Sequence, residues 1–290
     1  MLTEAQLAMR REGMSASDTA AIFGLDPFKG PFDVYCAKVD GWSPARTEDM
    51  ARGDHLEDGV ARWYAEKYAS EVTNPNETLR HRTRPLILAT PDRLATTSTG
   101  AVELVSIKVP RSGDGWGESE TQDFPGRHVI QLNHEAAVLT SLGHTLAGAW
   151  LVAPVWGDLR RYPVRLDTEL QDKLLTGCET FWTKYVATKL PPPIDGGAGA
   201  RAWLQRRFPR ATEGKTKAEA SLAQESLCMA LREAEARLDE ASEKYETAKS
   251  RVLATMGAAY GLTGNFGSIT NADNKWGKRT LRARWAKENK

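Results

Sequence analysis

The sequence predicts an α/β domain, a mixed central sheet flanked by helices, followed by a separate helical arm. Three observations carry this. Apolar residues recur at helical spacing through about residues 15–68. The pattern then turns strand-like at 85–90 and 101–109, and helical and strand patterns alternate from there to about residue 190. Past Pro191-Pro192-Pro193 and Asp195-Gly196-Gly197 a second helical pattern begins. A chain of 290 residues accommodates one large domain and an appendage, so residues 1–195 are expected to form the core, and 196–290 the arm with a basic C-terminal segment.

The elements follow in order. Ser15 is an N-cap, with Asp18 three residues on as its capping-box partner, and Gly24 closes that helix. Pro31 suits the first position of a second helix, whose stripe is Phe32, Tyr35, Cys36 and Val39. A third helix spans about 52–68, with Leu56, Val60, Trp63, Tyr64 and Tyr68 on one face. The strands at 85–90 and 101–109 read as a hairpin, with Thr97-Ser98-Thr99-Gly100 as the turn. Residues 111–126 form a polar loop. A helix over 128–142 ends at Gly143, strands at 147–153 and 161–166 flank a Trp156-Gly157-Asp158 turn, and a helix from 167 runs to the triple proline. In the arm, Leu227, Leu231, Ala234, Leu238, Ala241, Tyr245, Ala248 and Val252 form a heptad seam. Its simplest use is a helical hairpin or packing arm, and oligomerisation is the functional alternative.

Composition excludes several classes. The net charge is +1, so any phosphate-binding surface must be local. Basic residues interleaved with aromatics occur at 201–217 (Trp203, Phe208) and 275–290 (Trp276, Trp285), which suits backbone and base contact. Cys36, Cys178 and Cys228 form no CxxC pair and read as buried thiols rather than disulfides or a zinc site. The five histidines contain no HExxH, and His134 reads as packed or exposed. Gly113-Asp114-Gly115-Trp116-Gly117 lacks the phosphate-loop pattern and reads as a mobile loop. No apolar run reaches membrane-spanning length, and the first 14 residues carry no signal-peptide core, so the expected location is the cytoplasm, with no membrane partner.

The chemistry starts at Asp92 and Lys108. Strand alternation puts Leu104, Ser106 and Lys108 on one face. A lysine between Ile107 and Val109 needs a partner, and Asp92 on a neighbouring strand is the natural one. An acid–lysine pair at a sheet edge can bind a divalent cation and steady a phosphoryl transition state.

Four motifs occur in order: Gly53-Asp54-His55-Leu56-Glu57, Thr90-Pro91-Asp92-Arg93-Leu94, Ile107-Lys108-Val109-Pro110 and Gln131-Leu132-Asn133-His134. Over about residues 7–192 the chain resembles the YqaJ-type viral recombinase nucleases, relatives of lambda exonuclease in the PD-(D/E)XK superfamily. The resemblance implies a restriction-endonuclease-like core. It makes Glu57 and Asp92 metal ligands with the Ile107 backbone carbonyl, Lys108 the residue that orients the attacking water, and Gln131 a further catalytic residue. It makes Arg10 and Ser17 the binders of a DNA 5′-phosphate. It implies Mg²⁺ (or Mn²⁺), 5′-to-3′ exonuclease action on duplex DNA ends in phage-type recombination within a bacterial host, a single-strand annealing protein as partner, and a ring-shaped homo-oligomer.

The chain departs from the family pattern at one position. The family carries Glu or Asp two residues before the lysine, where this chain has Ser106, a neutral and poorer ligand for Mg²⁺. Ser106 itself and Glu103 are the candidates for the remaining ligand. Glu103 falls on the opposite strand face unless a bulge re-aims it. The alternative is a catalytically weak or inactive DNA-end-binding relative.

Overall fold

The computed structural model describes residues 3–68, 70–210, 219–273 and 279–286. The chain divides into two compact units, Met1–Ala211 and Thr212–Lys290. The first runs α1 (Glu4–Arg11), β1 (Met14–Ser15), α2 (Ala16–Ile22), α3 (Pro31–Val39), α4 (Glu48–Tyr68), β2 (Glu71–Thr73), β3 (Leu79–Arg80), β4 (Ile87–Ala89), β5 (Arg93–Thr96), β6 (Val102–Ile107), α5 (Arg127–Ser141), β7 (Leu146–Val155), β8 (Asp158–Pro163), α6 (Thr168–Phe181), a π-turn at Trp182–Val186, and α7 (Ala198–Arg207). The second holds α8 (Leu222–Met256), β9 (Gly261–Gly264), β10 (Gly267–Asp273) and β11 (Arg279–Trp285).

The central sheet has the order β2-β5-β6-β7-β8. β6 and β7 are parallel and the other pairs antiparallel, so the sheet is mixed. Parallel neighbours need a crossover, and α5 supplies it, which brings that helix onto one face of β6. There Leu104, Ala149, Leu151 and Ala153 pack with Leu132, Ala136 and Leu139 of α5. On the opposite face Val105, Ile107 and Val152 pack against Val60, Ala61 and Tyr64 of α4. Both faces of β6 are therefore helix-covered, the usual fate of a strand in a parallel pair. A smaller sheet, β1-β4-β3, gathers a second core of Met14, Ala21, Phe32, Ile87, Val138, Cys178 and Phe181.

Several sequence expectations are corrected. Residues 85–90 do not pair with β6. β4 joins β1 and β3, and the hairpin partner of β6 is β5, on the other side of Pro91-Asp92. The first unit does not close at 195, because α7 seats on α3: the Gly199 amide donates to Asp33 Oδ1 at 2.6 Å, and Trp203 packs edge-on against Phe32 at 5.6 Å. Trp203 is thus a packing residue, and Arg206 pairs with Asp40. The loop at 111–126 is anchored: Trp116 is buried against Tyr162, and the Gly117 carbonyl accepts from the Tyr162 hydroxyl at 2.9 Å. Cys36 and Cys178 are buried thiols, their pKa values pushed up by burial to about 11 and about 12, whereas Cys228 is exposed. Lys215, Lys217, Lys275, Trp276, Lys278, Lys287 and Lys290 lie outside the described residues.

In the second unit α8 is one uninterrupted helix, not a hairpin. It is capped by Ser221 with Gln224 and ends at Gly257, whose φ of 54° suits glycine. Leu227, Leu231, Leu238 and Tyr245 of the seam are exposed. β9, β10 and β11 form an antiparallel sheet. Among the described residues no helix is long and apolar enough to cross a membrane.

Candidate active site

Asp92 lies immediately before β5, at the end of the β5–β6 hairpin. Its Oδ2 accepts three hydrogen bonds from β6 and the residue after it: the Ile107 amide at 2.9 Å, the Ser106 hydroxyl at 2.9 Å and Lys108 Nζ at 3.3 Å. Lys108 Nζ also donates to Ser106 Oγ at 3.0 Å. Alternation along β6 places Ser106 and the Lys108 ammonium on the α5 side. The acid and the amine are therefore held by the sheet itself, while Asp92 Oδ1 takes no part in these bonds.

A cleft of about 290 Å³ opens at this point. Arg10, Ser17, Glu57, Asp92, Lys108 and Gln131 all line it, together with Ser15, Arg93 and Glu135. Arg10, at the end of α1, donates to the hydroxyls of Ser15 and Ser17 at 3.1 and 2.5 Å and forms no ion pair with a carboxylate among the described residues. Ser15 caps α2, and its amide and hydroxyl both donate to Asp18 Oδ2, at 3.1 and 2.7 Å. Asp18 in turn pairs with Lys29 at 2.5 Å and Lys38 at 2.6 Å. Burial would raise the Asp18 pKa, but the charges of Lys29, Lys38 and Arg10 outweigh it and hold the carboxyl well below its usual range.

Glu57 enters from α4, one turn before Val60. Arg93, buried on the α4 face, donates to Glu57 Oε1 at 2.7 Å and also binds Asp58. Burial and the nearby Asp92 charge raise the Glu57 pKa, with Arg93 opposing. Gln131 and Glu135 are one turn apart on α5, and Gln131 Nε2 donates to Glu135 Oε1 at 2.9 Å. Glu135 is 1% exposed, and its Oε2 has no hydrogen-bond partner. Burial, then the Asp92 charge, push its pKa up to about 8 against the pull of Lys108.

The two candidates for the missing acid sit otherwise than expected. Ser106 is fully buried, its hydroxyl occupied by Asp92 and Lys108, so it bridges that pair instead of facing the cleft. Glu103 lies on the α4 face, where its charge adds to burial in raising the Tyr64 pKa, and does not line the cleft. The register irregularity of β6 falls between Val102 and Glu103 and does not turn Glu103 to the other side. Ile107 contributes its amide to Asp92 and lines an adjoining groove of about 730 Å³, which shares Asp54, Glu57, Asp92 and Lys108 with the cleft. His134 is buried and structural: its Nε2 lies 3.0 Å from the Leu88 carbonyl and its Nδ1 2.8 Å from the Thr19 hydroxyl. Sequence reasoning missed Arg93 and Glu135. Arg93 follows Asp92 directly, and Glu135 stands at the i+4 position from Gln131, a spacing that signals a shared face.

Among the described residues no three Asp, Glu, His or Cys groups form a ready metal cage. The donor set nonetheless fits a hard divalent cation. Mg²⁺ is commonly held by one or two carboxylates plus substrate phosphates rather than by an all-protein cage. Asp92, Glu57 and Glu135 are carboxylates on one cleft, and the buried, unpartnered Glu135 oxygen leaves an acceptor unsatisfied.

Residues 6–145 match the model of the YqaJ-like viral recombinase domain. The chain is 27% identical over 214 residues to the uncharacterized protein YqaJ of Bacillus subtilis (strain 168), covering 72% of this chain and 64% of that protein's length. Its fold is similar to two crystal structures of an alkaline exonuclease from Laribacter hongkongensis, LHK-Exo, one of them in complex with dAMP. The TM-scores are 0.51 and 0.50 at 17% identity, over 71% of this chain and 98% of each exonuclease chain. The cleft-bearing stretch of this chain, residues 6–145, is thus the part that is similar to the YqaJ-like viral recombinase domain.

Proposed function

We propose that the chain is a divalent-cation-dependent DNA exonuclease that degrades duplex ends in the 5′-to-3′ direction during phage-type homologous recombination. The observation that carries this reading is the convergence of Arg10, Ser17, Glu57, Asp92, Lys108 and Gln131, drawn from four helices, the loop before β5 and the residue after β6, on one cleft. The match of residues 6–145 to the YqaJ-like model and the similarity of fold support it.

Asp92 and Glu57 would hold Mg²⁺ or Mn²⁺, with the Ile107 carbonyl as a further oxygen. The bound cation supplies polarisation of the scissile phosphate and a water of lowered pKa. Lys108, steadied by Asp92 and Ser106, donates hydrogen bonds to the attacking water and balances charge that builds on the phosphate oxygens. Gln131 adds a neutral donor on the α5 side. Arg10, which forms no ion pair with a carboxylate among the described residues, and the hydroxyls of Ser15 and Ser17 receive the terminal 5′-phosphate. The strand left behind is a 3′ single strand suited to an annealing protein, and the exposed seam of α8 is the surface on which copies would join into a ring. The setting is the cytoplasm of a bacterial host.

The test is digestion of linear duplex DNA bearing 5′-phosphates in Mg²⁺, with closed circular DNA as control. Nucleotides should be released from the linear DNA only. Asp92→Ala and Lys108→Ala should each slow release by about 10²–10⁴-fold, and Arg10→Ala should erase preference for 5′-phosphate over 5′-hydroxyl ends. A wild-type protein that digests nothing, or digestion surviving both the Asp92 and Lys108 substitutions, would end the exonuclease reading. An inactive protein that still binds 5′-phosphorylated ends through Arg10 is the outcome favoured if Ser106 has cost the site its chemistry.

A further inference from the structure

We infer that Glu135, on α5, supplies the second carboxylate that β6 lacks, and that it is a direct ligand of the divalent cation together with Asp92. The inference rests on the cation-dependent reading of the cleft and names a ligand within it.

Three observations lead to Glu135. The strand position two residues before Lys108 carries a fully buried serine whose hydroxyl is already bonded to Asp92 and Lys108, so β6 offers one carboxylate fewer than the chemistry asks for. The α5 helix covers the same face of β6 as Ser106 and Lys108, and Glu135 projects from it into the cleft that Asp92 and Lys108 line. One Glu135 oxygen accepts from Gln131; the other, in a side chain 1% exposed, accepts from nothing.

A buried acceptor without a donor is costly, on the order of 1–3 kcal/mol, and native structures seldom keep one without reason. Here the reason is chemical. The vacant oxygen shares the cleft with Asp92, and two carboxylates completed by substrate phosphate oxygens are a common way to hold Mg²⁺ or Mn²⁺. Gln131 then acts as a positioning residue, fixing Oε1 so that Oε2 points at the cation. Glu103, the acid closer in sequence, is ruled out by its face of the sheet.

The experiment is Mn²⁺ titration of the full-length chain without DNA, read by the electron paramagnetic resonance of free Mn²⁺. Glu135→Gln, which keeps the size and the bond to Gln131, should weaken binding about tenfold or more. Adding Ser106→Asp should restore most of that loss, because a carboxylate returns to the strand position. Cooperative thermal unfolding of Glu135→Gln in EDTA establishes that the fold is intact. Binding by Glu135→Gln within twofold of the wild type, while Asp92→Asn loses it, overturns the assignment and leaves the cation reading standing. A wild-type chain that binds no Mn²⁺ better than Asp92→Asn does overturns both.

Discussion

Two buried carboxylates, Asp18 behind the Ser15 wall of the cleft and Glu135 in its lining, are treated in opposite ways. Asp18, under α2, is saturated: it accepts from the Ser15 amide and hydroxyl and pairs with both Lys29 and Lys38. Glu135, under α5, has one neutral donor and an empty oxygen. Burial works against both. Cations win at Asp18, whereas at Glu135 the Asp92 charge adds to the penalty and Lys108 offsets only part of it. The contrast separates a carboxylate that completes the fold from one left for something the fold does not contain. Asp18 organises the hydroxyls of Ser15 and Ser17 around Arg10; Glu135 lines the cleft beside Gln131.

Breaking the saturated side should have the largest effect. Asp18→Ala leaves the Lys38 ammonium, itself 5% exposed, without its counter-charge and should cost about 3–5 kcal/mol, measured by urea unfolding at pH 7. Because the folded pKa of Asp18 lies below 3.8, its contribution is fully present above that value and fades as pH falls through the folded pKa. The gap between wild type and Asp18→Asn should therefore narrow in acid; a gap that stays constant would mean that the charge is not what matters.

The unsaturated side should respond with the opposite sign. The folded pKa of Glu135, about 8, lies above the ordinary 4.5, so the wild type loses stability as pH rises from 4.5 through 8. Glu135→Gln removes that decline and, in EDTA at pH 9, should be more stable than wild type by about 1–3 kcal/mol. Mg²⁺ should shrink the difference by stabilising the wild type alone. A variant less stable than wild type at pH 9 in EDTA would make Glu135 a structural residue like Asp18.

Smaller effects sharpen the same contrast. His134→Leu removes the bonds to Thr19 and Leu88 between the two sides and should cost about 1–3 kcal/mol with no change in Mn²⁺ affinity. Ser15→Ala deletes the α2 cap and one of the two hydroxyls on Arg10. It should cost about 1 kcal/mol and weaken capture of 5′-phosphorylated ends more than the rate of cleavage once bound. Calorimetry and end-binding assays on the same preparations check both.

Much of this was legible in the chain itself. The Ser15–Asp18 capping box, Pro31 at a helix start, the Gly143 and Gly257 stops and the alternation along β6 are local, and each appears where its residue type requires. Two readings failed for one reason: periodicity says that faces alternate but not what covers them. The heptad seam of α8 is present, yet among the described residues of its own unit no second helix packs on it, and Cys228, expected to be buried, is exposed on α8.

The sequence alone determined the order of helices and strands, the juxtaposition of Ser106 with Lys108 on one strand face, and the absence of an acid where that strand would carry one. Tertiary structure decided which strand pairs with β6, that α7 belongs to the first unit, and which distant acid shares the cleft with Asp92. Alternation and helical spacing are set by backbone geometry within a few residues. That Asp92 shares its cleft with a side chain 43 positions away depends on the α5 crossover joining β6 to β7, and that placement is fixed only when both faces of the sheet are packed.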